Sequence, residues 1–244
     1  MRALILAAGL GTRLRSVSGD LPKPLVPVGN RPLIHYTLLL LKRHAITEVV
    51  INLHYQGEKI RESLGDGNQF GMHVSYSEEP RILGTGGGIA KVRPFFQEQT
   101  FLVINADILV DIDLDKVVET HHRKKAAATL VLREDPEVDR YGAVEVDREC
   151  RIRQFLGKIP DAPQDLVKRM FTGIHVLDPK IFDYIPTGVF SPITDAYVAM
   201  LQKDERLFGY TMNTFWADLG TPERYRGVSD DLRDNRLKLS FLKP

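Results

Sequence analysis

The sequence predicts an α/β fold with a largely parallel central sheet, and two patterns lead to this prediction. In the first half of the chain, short β-branched apolar runs alternate with amphipathic stretches, which is the pattern of repeated strand and helix units. After about residue 140 the apolar runs follow one another across a Pro/Gln/Asp-rich loop, which predicts added mixed or antiparallel strands. A length of 244 residues is within reach of one large domain with a single core.

These patterns place the individual elements. Strands are predicted near 2–7, 48–53, 73–77, 101–105 and 127–132, and then at Tyr141–Asp147, Arg151–Phe155 and Met170–Leu177. Helices are predicted near 32–44, 57–64, 86–95, 114–125 and 222–236. The last helix begins beside Thr221 and Pro222, because a capping residue followed by proline is typical of a helix start.

The charge balance excludes a general affinity for nucleic acid or an anionic membrane surface. The chain has 33 basic and 32 acidic residues and a formal net charge of +1, so any phosphate group must be bound locally. Its apolar runs are shorter than the roughly 20 residues that cross a bilayer. Cys150 is the single cysteine, which excludes an internal disulfide and is typical of a reducing cytosol. We therefore expect a cytoplasmic protein with no nucleic-acid or membrane partner.

A glycine-rich segment, Ala-Ala-Gly-Leu-Gly-Thr-Arg at Ala7–Arg13, directly follows the first predicted strand. Glycines there let backbone N–H groups turn toward a phosphate, and the arginine can pair with its oxygens. The dinucleotide-binding fingerprint is excluded because Leu14 stands where it requires a third glycine. A P-loop is excluded because Ile159 follows the single Gly-Lys pair, Gly157 and Lys158.

The longer string Leu6–Leu14 is followed by Leu-Pro-Lys-Pro-Leu-Val-Pro-Val at Leu21–Val28 and by Arg-Pro-Leu at Arg31–Leu33. These segments resemble the NDP-sugar pyrophosphorylases, the sugar-1-phosphate nucleotidyltransferases, whose signature is a Gly-x-Gly-Thr-Arg loop followed by Pro-Lys-Pro. The resemblance extends from Arg2 to about Arg226. It implies an enzyme that uses Mg²⁺ to join a nucleoside triphosphate to a sugar 1-phosphate, with release of pyrophosphate, and it leaves room for a homodimer.

The resemblance also implies an architecture. We expect a single Rossmann-like domain of the GT-A type over 1–244, with helices on both faces of the sheet and, as in short bacterial members, no C-terminal β-helix. Residues 1 to about 140 would bind the nucleotide and residues about 141–225 the sugar phosphate. A helix and tail at about 222–244 would follow.

The family signature assigns the phosphate-binding and catalytic residues. Pro22 and Pro24 fix φ on both sides of Lys23, so this lysine projects from an ordered backbone. The resemblance implies catalytic roles for Arg13, Lys23, Asp107 and Asp218. It implies nucleotide contacts for Leu6, Ala8, Gly9, Gly11, Thr12, Arg13, Lys23, Glu79, Gly84, Thr85 and Asn105.

Two acidic residues resemble the family's magnesium ligands. The apolar run Phe101–Asp107 ends in an acid, at the strand end where α/β proteins bind ligands. Asp218 ends a short strand before the last helix, and Mg²⁺ favours one or two carboxylates together with substrate phosphates. An alternative metal motif, Asp-x-Asp at Asp111 and Asp113, is more simply explained as a turn and the acidic start of a helix.

The base-binding segment is predicted at Ser77–Ile89, which contains two acids and a glycine cluster. In the family this segment contacts the base. Glu79 can accept N–H bonds from guanine N1 and N2, or one bond from the imide of uracil, so both bases stay open. Alternatively, Gly84–Gly88 form only a tight turn between a strand and a helix.

The sugar-facing segments of the family resemble three short strings in this chain. By this resemblance the sugar phosphate would contact Tyr141, Gly142, Lys158, Thr172 and Gly173, with Lys158 holding the phosphate. The family often has Glu-Lys-Pro where this chain has Gly-Lys-Ile, so a hydrogen-bonding acid is missing.

Two substrate assignments compete. Mannose-1-phosphate guanylyltransferases share Glu-Glu-Pro and Leu-Gly-Thr, and these strings favour GTP. N-acetylmuramate-1-phosphate uridylyltransferases have strings similar to Ile51–Tyr55 and Thr85–Ile89, which favour UTP. A third alternative is a nucleotide-sugar sensor or regulatory subunit that binds without turnover.

Overall fold

The structure is a computed structural model that describes residues 1–242, leaving out the side chains of Arg15, Ser18, Arg140 and Tyr141. The strands are β1 Arg2–Leu6, β2 Pro27–Val28, β3 Arg31–Pro32, β4 Glu48–Leu53, β5 His73–Glu78, β6 Phe101–Asn105, β7 Ile108–Val110, β8 Ala128–Arg133, β9 Ala143–Val146, β10 Ile152–Phe155, β11 Val167–Leu177, β12 Leu207–Thr211 and β13 Trp216–Asp218. The helices are α1 Arg15–Ser18, α2 Leu33–Arg43, α3 Gly57–Leu64, α4 Gly84–Lys91, α5 Arg93–Phe96, α6 Leu114–Lys124, α7 Val138–Tyr141, α8 Ile193–Gln202 and α9 Pro222–Arg233. Short 3-10 helices lie at Thr12–Leu14, Lys23–Leu25, Asn68–Phe70, Pro179–Asp183 and Ser240–Leu242.

The described chain divides into two compact units, each made of separate segments. The amino-terminal unit comprises Arg2–Ile82, Asn105–Ile112 and the chain from Thr214 onward. The central unit comprises Met1 and two longer segments, Leu83–Ile104 and Asp113–Asn213.

The amino-terminal unit contains the parallel part of the fold. In it, β1 pairs with β4 and β4 pairs with β5, both in parallel, so Leu6, Asn52 and Ser77 lie side by side near the strand ends. Two antiparallel pairs, β2 with β3 and β7 with β13, complete the unit. The apolar face of α2, including Leu38 and Leu41, is buried. This parallel arrangement confirms the predicted α/β class.

The central unit is mainly antiparallel and is organised around the long strand β11. This strand pairs in antiparallel fashion with β6, β8 and β9, and β10 adds to β9. Strand β12 joins β8 in parallel. The pairing of β11 with β8 shifts register between Phe171 and His175, where Gly173 has a φ of 85°, so the predicted Thr-Gly string forms a β-bulge. The predicted change to mixed strands in this half is confirmed.

Two predicted elements differ clearly from the structure, and several elements, the short α1, β2, β3 and β7 among them, were not predicted. The strand predicted at Tyr141–Asp147 is wrong at its start: a helical turn ends at Tyr141, and Gly142 at a φ of 88° separates it from β9. The helix predicted near 86–95 is divided into α4 and α5, because α5 starts anew with a proline in its first turn. Helix α8 and strand β12 were not predicted.

Among the described residues, no helix combines the length and the apolar character needed to cross a lipid bilayer.

A buried histidine makes the stability of the central unit depend on pH. His175 in β11 is buried, its Nδ1 faces the hydroxyl of Tyr197, and burial lowers its pKa from 6.5 to about 3. Below about pH 6.5 the unfolded chain therefore binds a proton that the folded chain does not, and the free energy of unfolding falls as the pH decreases. Above that pH the contribution of His175 to stability is fully present.

We expect His175→Gln to make the free energy of unfolding less dependent on pH by up to about 1.4 kcal/mol per pH unit. The measurement is urea unfolding between about pH 7 and pH 5. The control is His73→Gln, because His73 is exposed. An unchanged pH dependence in His175→Gln would show that His175 is not the group responsible.

Candidate functional site

The glycine-rich segment forms an exposed loop at the end of β1. Gly9, Thr12 and Arg13 are exposed, and the chain turns where Leu14 N–H donates to Gly11 O at 3.1 Å. Leu6 is the last residue of β1, and its carbonyl accepts from Ala106 N–H at 3.0 Å. The predicted phosphate loop is thus accessible at the carboxyl end of a parallel strand.

Gly11 and Lys23 are in close contact within this unit. Gly11 has a φ of 60°, and a Cβ atom added to it would lie 3.2 Å from the Cβ of Lys23. The lysine begins a 3-10 helix after Pro22, whose φ of −65° and ψ of 144° keep the preceding backbone extended. Glycine at position 11 is therefore required both by backbone conformation and by the approach of Lys23.

The ammonium group of Lys23 lies between the two predicted metal carboxylates. Its Nζ is 2.9 Å from Asp107 Oδ2 and 3.5 Å from Asp218 Oδ1. The side chain of Lys23 is 9% exposed and that of Asp218 is 19% exposed, so solvent screens the three charges only partly. The structure brings together all three of these residues that the sequence had singled out.

The pairing of β7 with β13 explains this convergence. Asp218 is paired with Ile108, the residue after Asp107, and Leu219 N–H donates to Asp107 O at 3.1 Å. A Cβ atom added to Gly220 would lie 2.8 Å from Asp218 Oδ1, so only glycine leaves room for this carboxylate orientation. A short antiparallel ladder thus fixes two carboxylates that are far apart in sequence.

Asp218 is held from a second side by Arg224 of α9. Arg224 Nη1 lies 3.8 Å from Asp218 Oδ2. Asp218 Oδ1 is buried, and no described residue forms a hydrogen bond with it, because the contact with Lys23 at 3.5 Å is an ion pair without hydrogen-bond geometry. A buried carboxylate oxygen in this state is suited to a cation.

Glu79 belongs to a buried hydrogen-bond chain in the same unit. Asn52 Nδ2 donates to Glu79 Oε1 at 2.8 Å, and Asn52 Oδ1 accepts from Ala7 N–H at 2.7 Å. Glu79 is 3% exposed and Asn52 is 2% exposed. The backbone of Glu79 is fixed as well, since Glu79 N–H donates to Leu53 O at 2.7 Å and His54 Nδ1 lies 2.7 Å from Glu79 O.

The glycine cluster of the central unit packs against backbone. Gly86 and Gly87 N–H donate to Ser191 O at 2.8 and 3.1 Å, and Thr85 Oγ1 accepts from Ile193 N–H at 2.9 Å. Cβ atoms on Gly84, Gly86 and Gly87 would lie 2.6 to 2.9 Å from backbone oxygens of this neighbouring segment. Gly84–Gly88 lie in helix α4, so the tight-turn alternative is wrong, and close packing against the neighbouring segment accounts for the glycines. Nucleotide contacts of Gly84 and Thr85 stay predictions.

The residues predicted to bind the sugar phosphate have varied settings in the central unit. Thr172 is buried, and its hydroxyl donates to Val131 O at 2.9 Å. Lys158 is half-exposed, and its Nζ lies 3.3 Å from Asp195 Oδ1 in the first turn of α8. A Cβ atom on Gly142 would meet Leu156 Cδ2. The side chain of Tyr141 lies outside the described part of the chain.

The Asp-x-Asp alternative is not supported by the contacts of its two acids. Asp111 Oδ2 and Oδ1 accept from Ser240 N–H and Oγ–H at 3.0 and 2.6 Å. Asp113 caps α6, with its Oδ1 accepting from Asp115 N–H at 3.1 Å and Lys116 N–H at 3.3 Å. The simpler prediction of a turn and a helix start accounts for both residues.

Sequence patterns missed three residues that shape the site: Asn52, Gly220 and Arg224. Asn52 lies near the end of β4, next to its last residue Leu53. Its signal, a polar residue ending an apolar strand, is weak without the strand pairing. Asn105, which was predicted, ends β6 and is half-buried.

The chain is similar over most of its length to several known proteins. A mannose-1-phosphate guanylyltransferase of Mycobacterium tuberculosis is 33% identical over 234 residues, covering 95% of this chain and 64% of the relative. An N-acetylmuramate alpha-1-phosphate uridylyltransferase of Neisseria meningitidis is 34% identical over 224 residues, covering 91% of this chain and 94% of the relative. The crystal structure of HddC from Yersinia pseudotuberculosis complexed with GMP-PN has a TM-score of 0.76 at 26% identity, covering 95% and 99% of the two chains.

The extent of these matches differs among the relatives. The chain spans 62% and 64% of the length of the first two curated relatives. The family model for nucleotidyl transferases matches residues 2–235, nearly the whole sequence. The chain therefore belongs to the nucleotidyl transferase family.

Proposed function

We propose that this protein transfers a nucleotidyl group from a nucleoside triphosphate to a sugar 1-phosphate, with release of pyrophosphate. The observation that supports it most directly is the Lys23 ammonium between Asp107 and Asp218. Gly11, in the exposed loop, is packed against the same lysine. Two carboxylates, a cationic side chain and a loop that a phosphate can reach are the parts that such a transfer needs.

A divalent cation fits the carboxylate pair. The ammonium of Lys23 lies at a position that is close to the carboxylates of both Asp107 and Asp218, so a cation at that position can contact both. The buried Oδ1 of Asp218 lacks a hydrogen bond within the described chain. Oxygen ligands of this kind favour Mg²⁺, which binds through one or two carboxylates and completes its shell with substrate phosphates and water. When bound, the ion would neutralise phosphate charge as it develops.

The reaction requires positioning rather than a general base. An oxygen of the sugar phosphate is ionised near neutral pH and attacks the α-phosphorus in line. The bond from the α-phosphorus to the β-phosphate oxygen breaks, and its electron pair leaves with pyrophosphate. Arg13, Lys23 and the N–H groups of the loop at Gly9 and Gly11 would hold the triphosphate and stabilise the charge of the leaving group.

The nucleobase and the sugar are assigned by likeness. We favour a mannose-1-phosphate guanylyltransferase, in keeping with the relative from Mycobacterium tuberculosis and the GMP-PN complex of HddC. The alternative is an N-acetylmuramate-1-phosphate uridylyltransferase, which the relative from Neisseria meningitidis supports. Glu79 would accept N–H bonds from either guanine or uracil, and Lys158 would hold the sugar phosphate.

We propose a cellular location and an assembly state for the enzyme. The single cysteine, Cys150, is unpaired, in keeping with a cytoplasmic location, and a homodimer is the proposed assembly. A non-catalytic sensor is the alternative of another class. The presence of Arg13, Lys23, Asp107 and Asp218 favours turnover, since a protein that only binds a nucleotide sugar requires no pair of carboxylates to hold a metal ion at the reacting phosphates.

The activity is tested by mixing the protein with Mg²⁺, one of GTP, UTP, dTTP, CTP and ATP, and one of several sugar 1-phosphates. We expect pyrophosphate release to be fastest with GTP and mannose 1-phosphate. Preference for UTP and N-acetylmuramate 1-phosphate would support the alternative. Nucleotide binding without pyrophosphate release from any pair would contradict the proposed transfer and favour the sensor.

We expect Asp107→Asn to lower kcat by at least about a hundredfold, because one preorganised electrostatic group contributes that much in comparable sites. The measurement is the initial rate of pyrophosphate release. The control is Asp234→Asn, because Asp234 forms a surface ion pair with Arg236. A near-wild-type rate in Asp107→Asn would exclude the metal role of this residue.

We expect Lys23→Gln to bind Mn²⁺ at least about tenfold more tightly than the wild type in the absence of nucleotide, because the competing ammonium is removed from the two carboxylates. Paramagnetic resonance titration of free Mn²⁺ measures this affinity. Lys59→Gln is the control, because Lys59 donates to the backbone carbonyl of Asp20. An equal or weaker affinity in Lys23→Gln would show that the lysine does not compete with the ion.

A further inference from the structure

A single buried amide connects the predicted phosphate loop with the predicted base-reading carboxylate. The side chain of Asn52 accepts from Ala7 N–H at 2.7 Å and donates to Glu79 Oε1 at 2.8 Å. All three residues are buried in the amino-terminal unit. Ala7 begins the glycine-rich loop, so one side chain contacts the first residue of that loop and the side chain of Glu79.

The direction of these hydrogen bonds is fixed by chemistry. A backbone N–H can only donate, so the atom of Asn52 that faces Ala7 must be its oxygen. The nitrogen of Asn52 then faces Glu79, whose Oε1 accepts the bond. Rotating the amide by half a turn would place an N–H group against Ala7 N–H and an oxygen against Glu79 Oε1. The amide therefore has one acceptable orientation.

The position of Asn52 follows from the strand register. Asn52 is paired with Leu6, the last residue of β1, and with Ser77 of β5. If the pairing of β1 with β4 continued, Ala7 N–H would donate to a backbone carbonyl of β4. The side chain of Asn52 accepts this bond instead, so the backbone after Ala7 can leave the sheet and turn into the loop. The same side chain also reaches Glu79, which directly follows β5 and whose backbone is held by Leu53 and His54.

We propose that Asn52 is a positioning residue: it fixes the carboxylate of Glu79 relative to the loop that begins at Ala7 and thereby controls which nucleobase is accepted. This inference rests on the proposed nucleotidyl transfer and on the base contact proposed for Glu79. Asn52 does not touch the reacting atoms. Its planar amide fixes the distance between the backbone that binds phosphate and the carboxylate that contacts the base.

Two single substitutions test the orientation of the chain. Asn52→Asp keeps an oxygen for Ala7 N–H, but it removes the N–H group that reaches Glu79 and places a second carboxylate beside it. Glu79→Gln still accepts from Asn52 through its carbonyl oxygen, so its NH₂ group takes the place of the other carboxylate oxygen. That variant would present donors to a base that needs an acceptor.

Combining Asn52→Asp with Glu79→Gln reverses the direction of the hydrogen bond between positions 52 and 79. The introduced glutamine now donates to the introduced aspartate, so its carbonyl oxygen turns toward the position of the second carboxylate oxygen. The net charge of the pair is the same as in the wild type, and Ala7 N–H keeps its acceptor. An acceptor for the base is thereby restored.

We measure base selectivity as the ratio of kcat/KM for the preferred triphosphate to that for the next best in the panel. Each single substitution should lower this ratio at least about tenfold, because a hydrogen bond to an ionised group is lost or misdirected. The double variant should return to within about threefold of the wild type, since the two residues are directly coupled. Asn213→Asp, at an exposed position, should leave the ratio unchanged.

The KM for pyrophosphate distinguishes the contact of Asn52 with Ala7 from its contact with Glu79. In the reverse reaction pyrophosphate carries no base, so Asn52→Asp should leave the KM for pyrophosphate within about twofold of the wild type. Asn52→Leu removes the contact with Ala7 as well and should raise that KM. Equal changes in the KM for pyrophosphate and in selectivity for Asn52→Asp would overturn the proposed division of roles.

The decisive result is the double variant. If it recovers thermal stability but stays as unselective as the poorer single variant, Asn52 supports the fold alone and the inference is wrong. If Asn52→Asp does not fold, the comparison of Glu79→Gln with the double variant decides the same question. Absence of pyrophosphate release by the wild-type protein would instead defeat the proposed function, so the two failures are distinct.

Discussion

The electrostatic balance at Lys23 is the constraint on which the candidate site depends. Asp107 and Asp218 are brought close together in a partly buried setting, where their charges would repel each other without a cation between them. Lys23 supplies that charge at 2.9 and 3.5 Å. The extended backbone at Pro22 and the glycine at position 220 both serve this arrangement, since each fixes where a charged group can lie.

A lysine in this position has consequences for ligand binding. Its long side chain can leave the carboxylates when a triphosphate supplies stronger partners, and the carboxylates are then available to a divalent ion. Ion and nucleotide would bind together, with Lys23 moving from carboxylate to phosphate. The histidines His121 and His175 have lowered pKa values mainly because they are buried in the central unit.

The sequence predicted local features of the site well, and long-range pairing poorly. Glycine at position 11, the prolines around Lys23 and the acid after β6 are local signals, because each reports a backbone requirement within a few residues. The proximity of Asp107 and Asp218 came from family resemblance, and its physical cause, the β7 and β13 ladder, involves strands of three residues each. The sequence indicated the short strand that ends at Asp218 but neither β7 nor its pairing with that strand, because strands of this length have no periodicity that identifies them or their partners. Helix α8 was missed although Ala196, Tyr197 and Met200 form a buried face.

Asn52 shows why the missing information concerned specificity more than chemistry. Groups that handle phosphate need charge and accessible backbone, and both leave strong marks in a sequence. A residue that sets the orientation of another side chain needs only an amide at one register position, from which its two hydrogen bonds reach residues that follow two different strands. The role of such an amide can be recognised only once the neighbouring strands are known. By the inference drawn for Asn52, proteins with the same phosphate loop would select different bases through substitutions at buried polar positions, because a substitution that keeps the acceptor for the loop redirects only the other hydrogen bond.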